Sequence, residues 1–114
     1  MERVELVKGT LDVMVLRALT WGPKHGYAVT RWVRDTTDGK LEIVEGALYP
    51  ALHRLEKKGF VTSEWGVSEN NREARFYRIT AAGRRQLRAD VSAWREYAEA
   101  FARVLAAAPA GEAA

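Results

Sequence analysis

The hydrophobic period of this chain changes twice, and the two changes limit what it can fold into. Up to Lys57 the apolar residues recur at helical spacing. From Phe60 to Ile79 the spacing becomes that of two short strands, Phe60–Trp65 and Ala74–Ile79. The stretch between them, Gly66 to Glu73, holds Ser68, Asn70 and Asn71 and reads as a hairpin loop. From Ala81 to Ala107 the helical period returns. A chain of 114 residues has room for one domain, and no repeat or linker divides it.

The helices have recognisable ends. Thr10 is a suitable N-cap, Asp12 follows in the first turn, and Leu11, Met14, Val15, Ala18 and Leu19 form a face. Trp21-Gly22-Pro23 stops this first helix. A second runs from Gly26 to Thr36, with Tyr27, Val29 or Thr30, and Val33 expected inward, and Asp38-Gly39 marks a turn. After a short extended stretch, Leu41–Val44, a third helix begins near Glu45 or Gly46 and ends before Gly59. Its Leu48, Leu52 and Leu55 share a face, so Gly46, Pro50, His53 and Lys57 look away from it. Pro50 lacks an amide and is tolerable only near the start of that helix. Thr80 offers the N-cap of the last helix. Three helices, a hairpin and a helix make a mainly α fold with a small β-hairpin: a winged helix-turn-helix over residues 1–80, a dimerisation helix over 81–107, and a flexible tail over 108–114. In helix-turn-helix proteins the second helix of the pair enters the DNA major groove.

The last helix would be about 40 Å long. Leu87, Val91, Trp94, Ala98, Phe101 and Leu105 lie 4, 3, 4, 3 and 4 residues apart, which is heptad spacing. Such a seam suits a second copy of the chain, giving a homodimer that Leu87→Asp or Phe101→Asp should break. The alternative is packing on the chain's own first helix. Trp94 with Tyr97 is also a candidate site for a small planar aromatic effector, since flat rings stack well. Trp94 as filler of the dimer core is the plainer alternative.

Charge and composition narrow the function. Between Arg54 and Arg88, nine Lys or Arg stand against four Glu, while the net charge of the whole chain is only +3. A basic centre between acidic flanks is what a phosphate-facing surface produces, although a solvated charged face gives the same count. Cysteine is absent, excluding disulfides and thiolate chemistry. No apolar run approaches a membrane span, and Met1–Lys8 has no signal-peptide core, so the expected location is cytoplasmic. His25 and His53 are the only histidines, and no phosphate loop, nucleophile elbow or zinc spacing accompanies them. An enzyme, a metal site and a cofactor are therefore not expected.

Several segments carry a specific likeness. Lys8-Gly9-Thr10-Leu11-Asp12, His25-Gly26-Tyr27, Glu45-Gly46-Ala47-Leu48-Tyr49-Pro50-Ala51-Leu52-His53-Arg54-Leu55-Glu56, Trp65 to Arg72 and Arg75-Phe76-Tyr77-Arg78-Ile79-Thr80 resemble, in order, the PadR family of bacterial regulators. The short single final helix resembles the smaller of that family's size classes. The resemblance implies a homodimeric transcription factor, usually a repressor of a nearby operon. The family prototype responds to phenolic acids, and relatives include multidrug-sensing repressors. Ala47 departs from the Ser or Thr that many members carry, which shifts weight to Tyr49 and the wing.

For double-stranded DNA the chain offers cations for phosphate and side chains for base edges. The third helix supplies Ala47, Tyr49, Pro50, His53, Arg54 and Lys57. Tyr49 can donate to phosphate or lie on a thymine methyl, and packing at the core boundary is its alternative. The hairpin supplies Asn70, Asn71, Arg72 and Arg75; an arginine at its tip suits a narrow minor groove, while Asn is also an ordinary turn residue. Lys24 and Tyr27 flank the start of the second helix, where the dipole attracts phosphate, and His25 beside them can instead cap the helix. The rival reading is a winged-helix module that binds protein or RNA.

Overall fold

The structure is a computed structural model that describes residues 9–110. The expectations for Met1–Lys8 and for the last four residues of the tail lie outside these. The elements are α1 (Leu11–Ala18), β1 (Lys24–His25), α2 (Gly26–Thr36), α3 (Glu45–Lys57), β2 (Val61–Val67), β3 (Glu73–Ile79) and α4 (Ala81–Ala106). The fold is the expected winged helix-turn-helix with a long C-terminal helix.

The strands form an antiparallel sheet ordered β1-β3-β2. β2 and β3 pair from Val61↔Ile79 to Val67↔Glu73, leaving the five residues Ser68 to Arg72 as the turn. The pairing thus runs further out than the sequence indicated. β1 adds a third strand through Lys24↔Tyr77 and His25↔Phe76. Leu41–Val44 joins no strand, although Ile43 is buried.

The core gathers Val15, Leu16 and Leu19 from α1 and its end, Val29 and Val33 from α2, and Leu48, Leu52 and Leu55 from α3, closed by Val61, Tyr77 and Ile79 of the sheet. The α3 face is as its spacing dictates, with Gly46, Pro50, His53 and Lys57 exposed. Pro50 sits in the second turn rather than the first. It has no amide for the carbonyl of Gly46, but both residues face water, which can serve that carbonyl. Gly59 ends the helix at φ 79, and Phe60 N donates to Leu55 O at 2.9 Å while Gly59 N donates to Glu56 O at 3.0 Å. Those two bonds make a Schellman cap, for which glycine is the least strained residue.

α4 starts on that cap. The Thr80 hydroxyl donates to Gly59 O at 2.7 Å and accepts from Gly83 N at 3.0 Å. Gly83 lies so close to the Phe60 backbone that a Cβ would fall 2.1 Å from Phe60 O. Arg84 donates to Thr20 O at 3.0 Å, joining α4 to the end of α1.

Two expectations are corrected here. Tyr27 is not on the inner face of α2 but 58% exposed, because Val29 and Val33 turn that face inward without it. Leu87 and Val91 are not free seam residues. Leu87 is buried at 6% exposure and Val91 packs against the core, since the first turns of α4 lie on α1. Leu87→Asp should therefore unfold the chain by burying a charge, whereas Phe101→Asp should leave the body of the chain folded, with the loss of helical circular dichroism confined to the outer turns of α4. Gly83→Ala should lower stability by about 3 kcal/mol, because the obstacle is backbone and cannot swing away. An unchanged urea midpoint for Gly83→Ala would contradict the packing described.

Candidate nucleic-acid interface

The start of α2 is the meeting point of the site. His25 is its N-cap: Nδ1 accepts from the Ala28 amide at 3.2 Å. The capping alternative for His25 is thus the one realised. A nitrogen that accepts carries no proton, so the neutral ring holds its proton on Nε2. Nε2 faces Glu69 Oε2 at 3.4 Å, and the other oxygen of Glu69 accepts from Arg31 at 3.4 Å. The tip of the hairpin is thereby latched to α2. The Arg31 guanidinium lies 5.3 Å from the Tyr27 ring centre. Phe76 meets the His25 ring edge-on at 5.4 Å.

α3 reaches the same place. The Tyr49 ring lies over Gly26, the first residue of α2. Tyr49 is otherwise half-exposed, and Pro50, His53 and Lys57 continue its face into solvent, with Ala47 partly covered behind them. At the other flank the hairpin tip presents Asn70, Asn71 and Arg72, all exposed. Asn71 has φ 57 and completes the turn, its amide donating to Ser68 O at 2.9 Å, so a structural duty is certain for it.

The cations divide into two groups. The side chains of Lys24, Lys57 and Arg72 make no hydrogen bond or ion pair with other described residues. Arg54 and Arg75 are engaged. Arg54 meets Asp12 of α1 at 2.8 Å. Arg75 donates to Ser63 Oγ at 2.9 Å, lies 3.8 Å from Glu56 Oε2, and has the Trp65 ring 5.7 Å from its guanidinium carbon. Register places Arg75 opposite Trp65, short of the hairpin tip. These two arginines therefore hold α1 and the wing to α3, and DNA would have to compete for them. Glu69, Arg31 and Gly26 were missed in the sequence. Only the position of Gly26 at a helix start hinted at a close approach.

Beyond Val91 the seam is bare. Trp94, Phe101 and Leu105 are 43%, 49% and 71% exposed, and Ala98 is exposed between them. Trp94 and Tyr97 stand 5.8 Å apart, and Tyr97 stacks on Phe101 at 5.9 Å. No group of three or more His, Cys, Asp or Glu among the described residues is placed to hold a metal, and no described helix is long and apolar enough to cross a membrane.

Residues 15–89 match the transcriptional regulator PadR-like family. A transcriptional regulator of Mycobacterium tuberculosis is 40% identical over 75 residues, which are 66% of this chain and 56% of that relative. The chain is similar to the crystal structure of a PadR family transcriptional regulator from Eggerthella lenta, with 31% identity and a TM-score of 0.76 over 89% of this chain and 86% of that one. It shares its fold with Bacillus subtilis PadR in complex with operator DNA, with 23% identity and a TM-score of 0.64 over 72% of this chain and 47% of that one.

The latch responds to acid. The carboxyl of Glu69 is held below the usual carboxylate range, first by its own backbone amide and next by the hydrogen bond from His25. A lowered folded value means that the backbone bond and the latch together stabilise the fold above the ordinary carboxylate range, and that this contribution is lost as pH falls through the folded value. Carbon-13 NMR of this carboxyl should give a titration midpoint below that of an ordinary glutamate. A midpoint at or above the ordinary value would contradict the backbone bond and the His25 contact together.

Proposed function

Because this chain belongs to the PadR-like family of transcriptional regulators, we propose that it binds palindromic operator DNA as a homodimer and represses a nearby operon in the cytoplasm. The observation that carries the reading is that α3 and the hairpin tip both meet the start of α2, Tyr49 over Gly26 and Glu69 against His25, and present exposed side chains beside it. Tyr49, Pro50, His53 and Lys57 flank it on one side, and Asn70 to Arg72 on the other, with Lys24 and Tyr27 between. Ala47 stands at the edge of the α3 face, and Arg54 and Arg75 reinforce the surface from behind. In this reading α3 enters the major groove and Arg72 the minor groove. Lys24 and Lys57 neutralise phosphate. The fold shared with a PadR solved on operator DNA supports duplex DNA as the partner.

Residues 1–80 then form the DNA-binding part and 81–107 the dimerisation helix. The seam on α4 is narrowed to Trp94, Ala98, Phe101 and Leu105, with Leu87 and Val91 anchoring the helix to its own chain. A two-fold dimer matches a two-fold DNA site. The neighbouring rings of Trp94, Tyr97 and Phe101, of which the last two stack, support a further step, release from DNA by a small planar aromatic ligand that packs on them. Trp94→Leu, which keeps the seam apolar but removes the flat ring, should abolish any such response while leaving DNA binding in place, as read by anisotropy with and without the compound.

The test of the main reading is fluorescence anisotropy with duplex from upstream of the protein's own gene. Affinity should fall about a thousandfold as salt rises from about 50 to about 200 mM, through release of counterions from the phosphates. Lys57→Ala should lower the slope of log affinity against log salt by about one per subunit. Absence of binding at the lower salt would overturn the reading, and a preference for single-stranded RNA would favour an interaction module instead. Phe101→Asp should yield a folded monomer by light scattering with weakened operator binding; an unchanged dimer would remove α4 from the interface.

A further inference from the structure

We infer that Gly26 is a positioning residue for Tyr49, and that its missing side chain is kept for DNA affinity rather than for folding. The inference rests on the DNA reading above and assigns a role to a residue that itself need not touch DNA. Gly26 opens α2 and is buried. Its backbone is not in the left-handed region, which among the described glycines holds Gly9, Gly22, Gly39 and Gly59. Any residue would accept its φ, and most residues form helix better than glycine. What glycine supplies here is space. A Cβ at this position would lie 2.7 Å from the Tyr49 hydroxyl oxygen, 2.9 Å from Cζ and 3.1 Å from Cε1. The outer edge of the ring thus rests on the backbone of residue 26, and this seat holds the hydroxyl at the amino end of α2.

Comparison with Gly83 shows why the consequence falls on function. A Cβ at Gly83 meets the Phe60 backbone, which cannot move without the sheet. The three atoms nearest a Cβ at Gly26 all belong to the far end of one half-exposed side chain, which can swing about its χ angles into water. Gly26→Ala should therefore fold, with the ring of Tyr49 displaced by the new methyl group. If Tyr49 contacts DNA from this seat, the displaced ring no longer reaches its partner, and affinity falls with stability preserved.

A double-mutant cycle separates this role from a merely structural one. The four proteins are wild type, Gly26→Ala, Tyr49→Ala and the double variant, titrated on one operator duplex by anisotropy and melted by circular dichroism. Gly26→Ala should weaken binding about tenfold when Tyr49 is present and less than about twofold when it is absent, with thermal midpoints close to those of the parents. An equal loss in both backgrounds overturns the inference, as does no loss beside Tyr49 or a Gly26→Ala chain that fails to fold. Proton NMR without DNA keeps the seat testable if the wild type binds no duplex. The Gly26 Hα resonances should be displaced by the ring current of Tyr49 and should return to ordinary values in Tyr49→Ala; no displacement would show that the ring is not seated there. Failure of wild-type binding with the displacement present overturns the DNA reading and the affinity role, and leaves the seat standing.

Discussion

Two consecutive residues at the start of α2, His25 and Gly26, are the point on which the arrangement of the other elements turns. His25 caps the helix with one ring nitrogen and faces the hairpin tip with the other, and its backbone pairs with Phe76 in the sheet. Gly26 admits the ring of Tyr49 from α3. α3 and the wing are thus referenced to the same spot on α2. None of these contacts is strong alone; the Glu69 latch works at 3.4 Å with its carboxylate in water, where such pairs contribute little. Their effect is to choose among orientations that the apolar core already permits. The core fixes that the helices pack, and the polar contacts fix how the two outer elements sit relative to each other.

A second junction, at the turn from α3 into β2, does the equivalent for α4. The Schellman cap at Gly59 turns the chain, and Thr80 bonds back to that cap. The bare α-carbon of Gly83 lets the first turn of α4 settle on Phe60. The direction in which the long helix leaves the body is therefore set within four residues of its start. Arg84 to Thr20 and Leu87 in the core then hold it.

Local signals in the sequence were sufficient for much of this. The bounds of α2 coincide with those expected, α3 and α4 agree to a residue or two, and Thr80 caps as its position before a helical run implies. β1 was invisible because two residues cannot show alternation. The pairing of Val67 with Glu73 was hidden because Gly66 reads as the end of a strand. Long-range ion pairs were also out of reach, since nothing near Arg54 announces Asp12 and nothing near His25 announces Glu69. The seam on α4 shows a different limit. Its heptad spacing runs unbroken from Leu87 to Leu105, yet the inner part faces its own chain and the outer part faces solvent. Periodicity tells which face of a helix is apolar and carries no information on whose surface covers it.

From residue 92 to its end, α4 is exposed on every side. That is about 22 Å of helix. A segment of that length is marginally stable in water when nothing packs on it. The outer turns of α4 therefore owe part of their order to whatever covers them. In the proposed dimer, covering this face is a folding step as well as a docking step, and it should carry the negative heat-capacity change of apolar burial together with the entropy loss of winding a helix. In that dimer the distance between the two bodies joined through α4 is then not a fixed dimension of one chain; it becomes defined only as the second copy arrives.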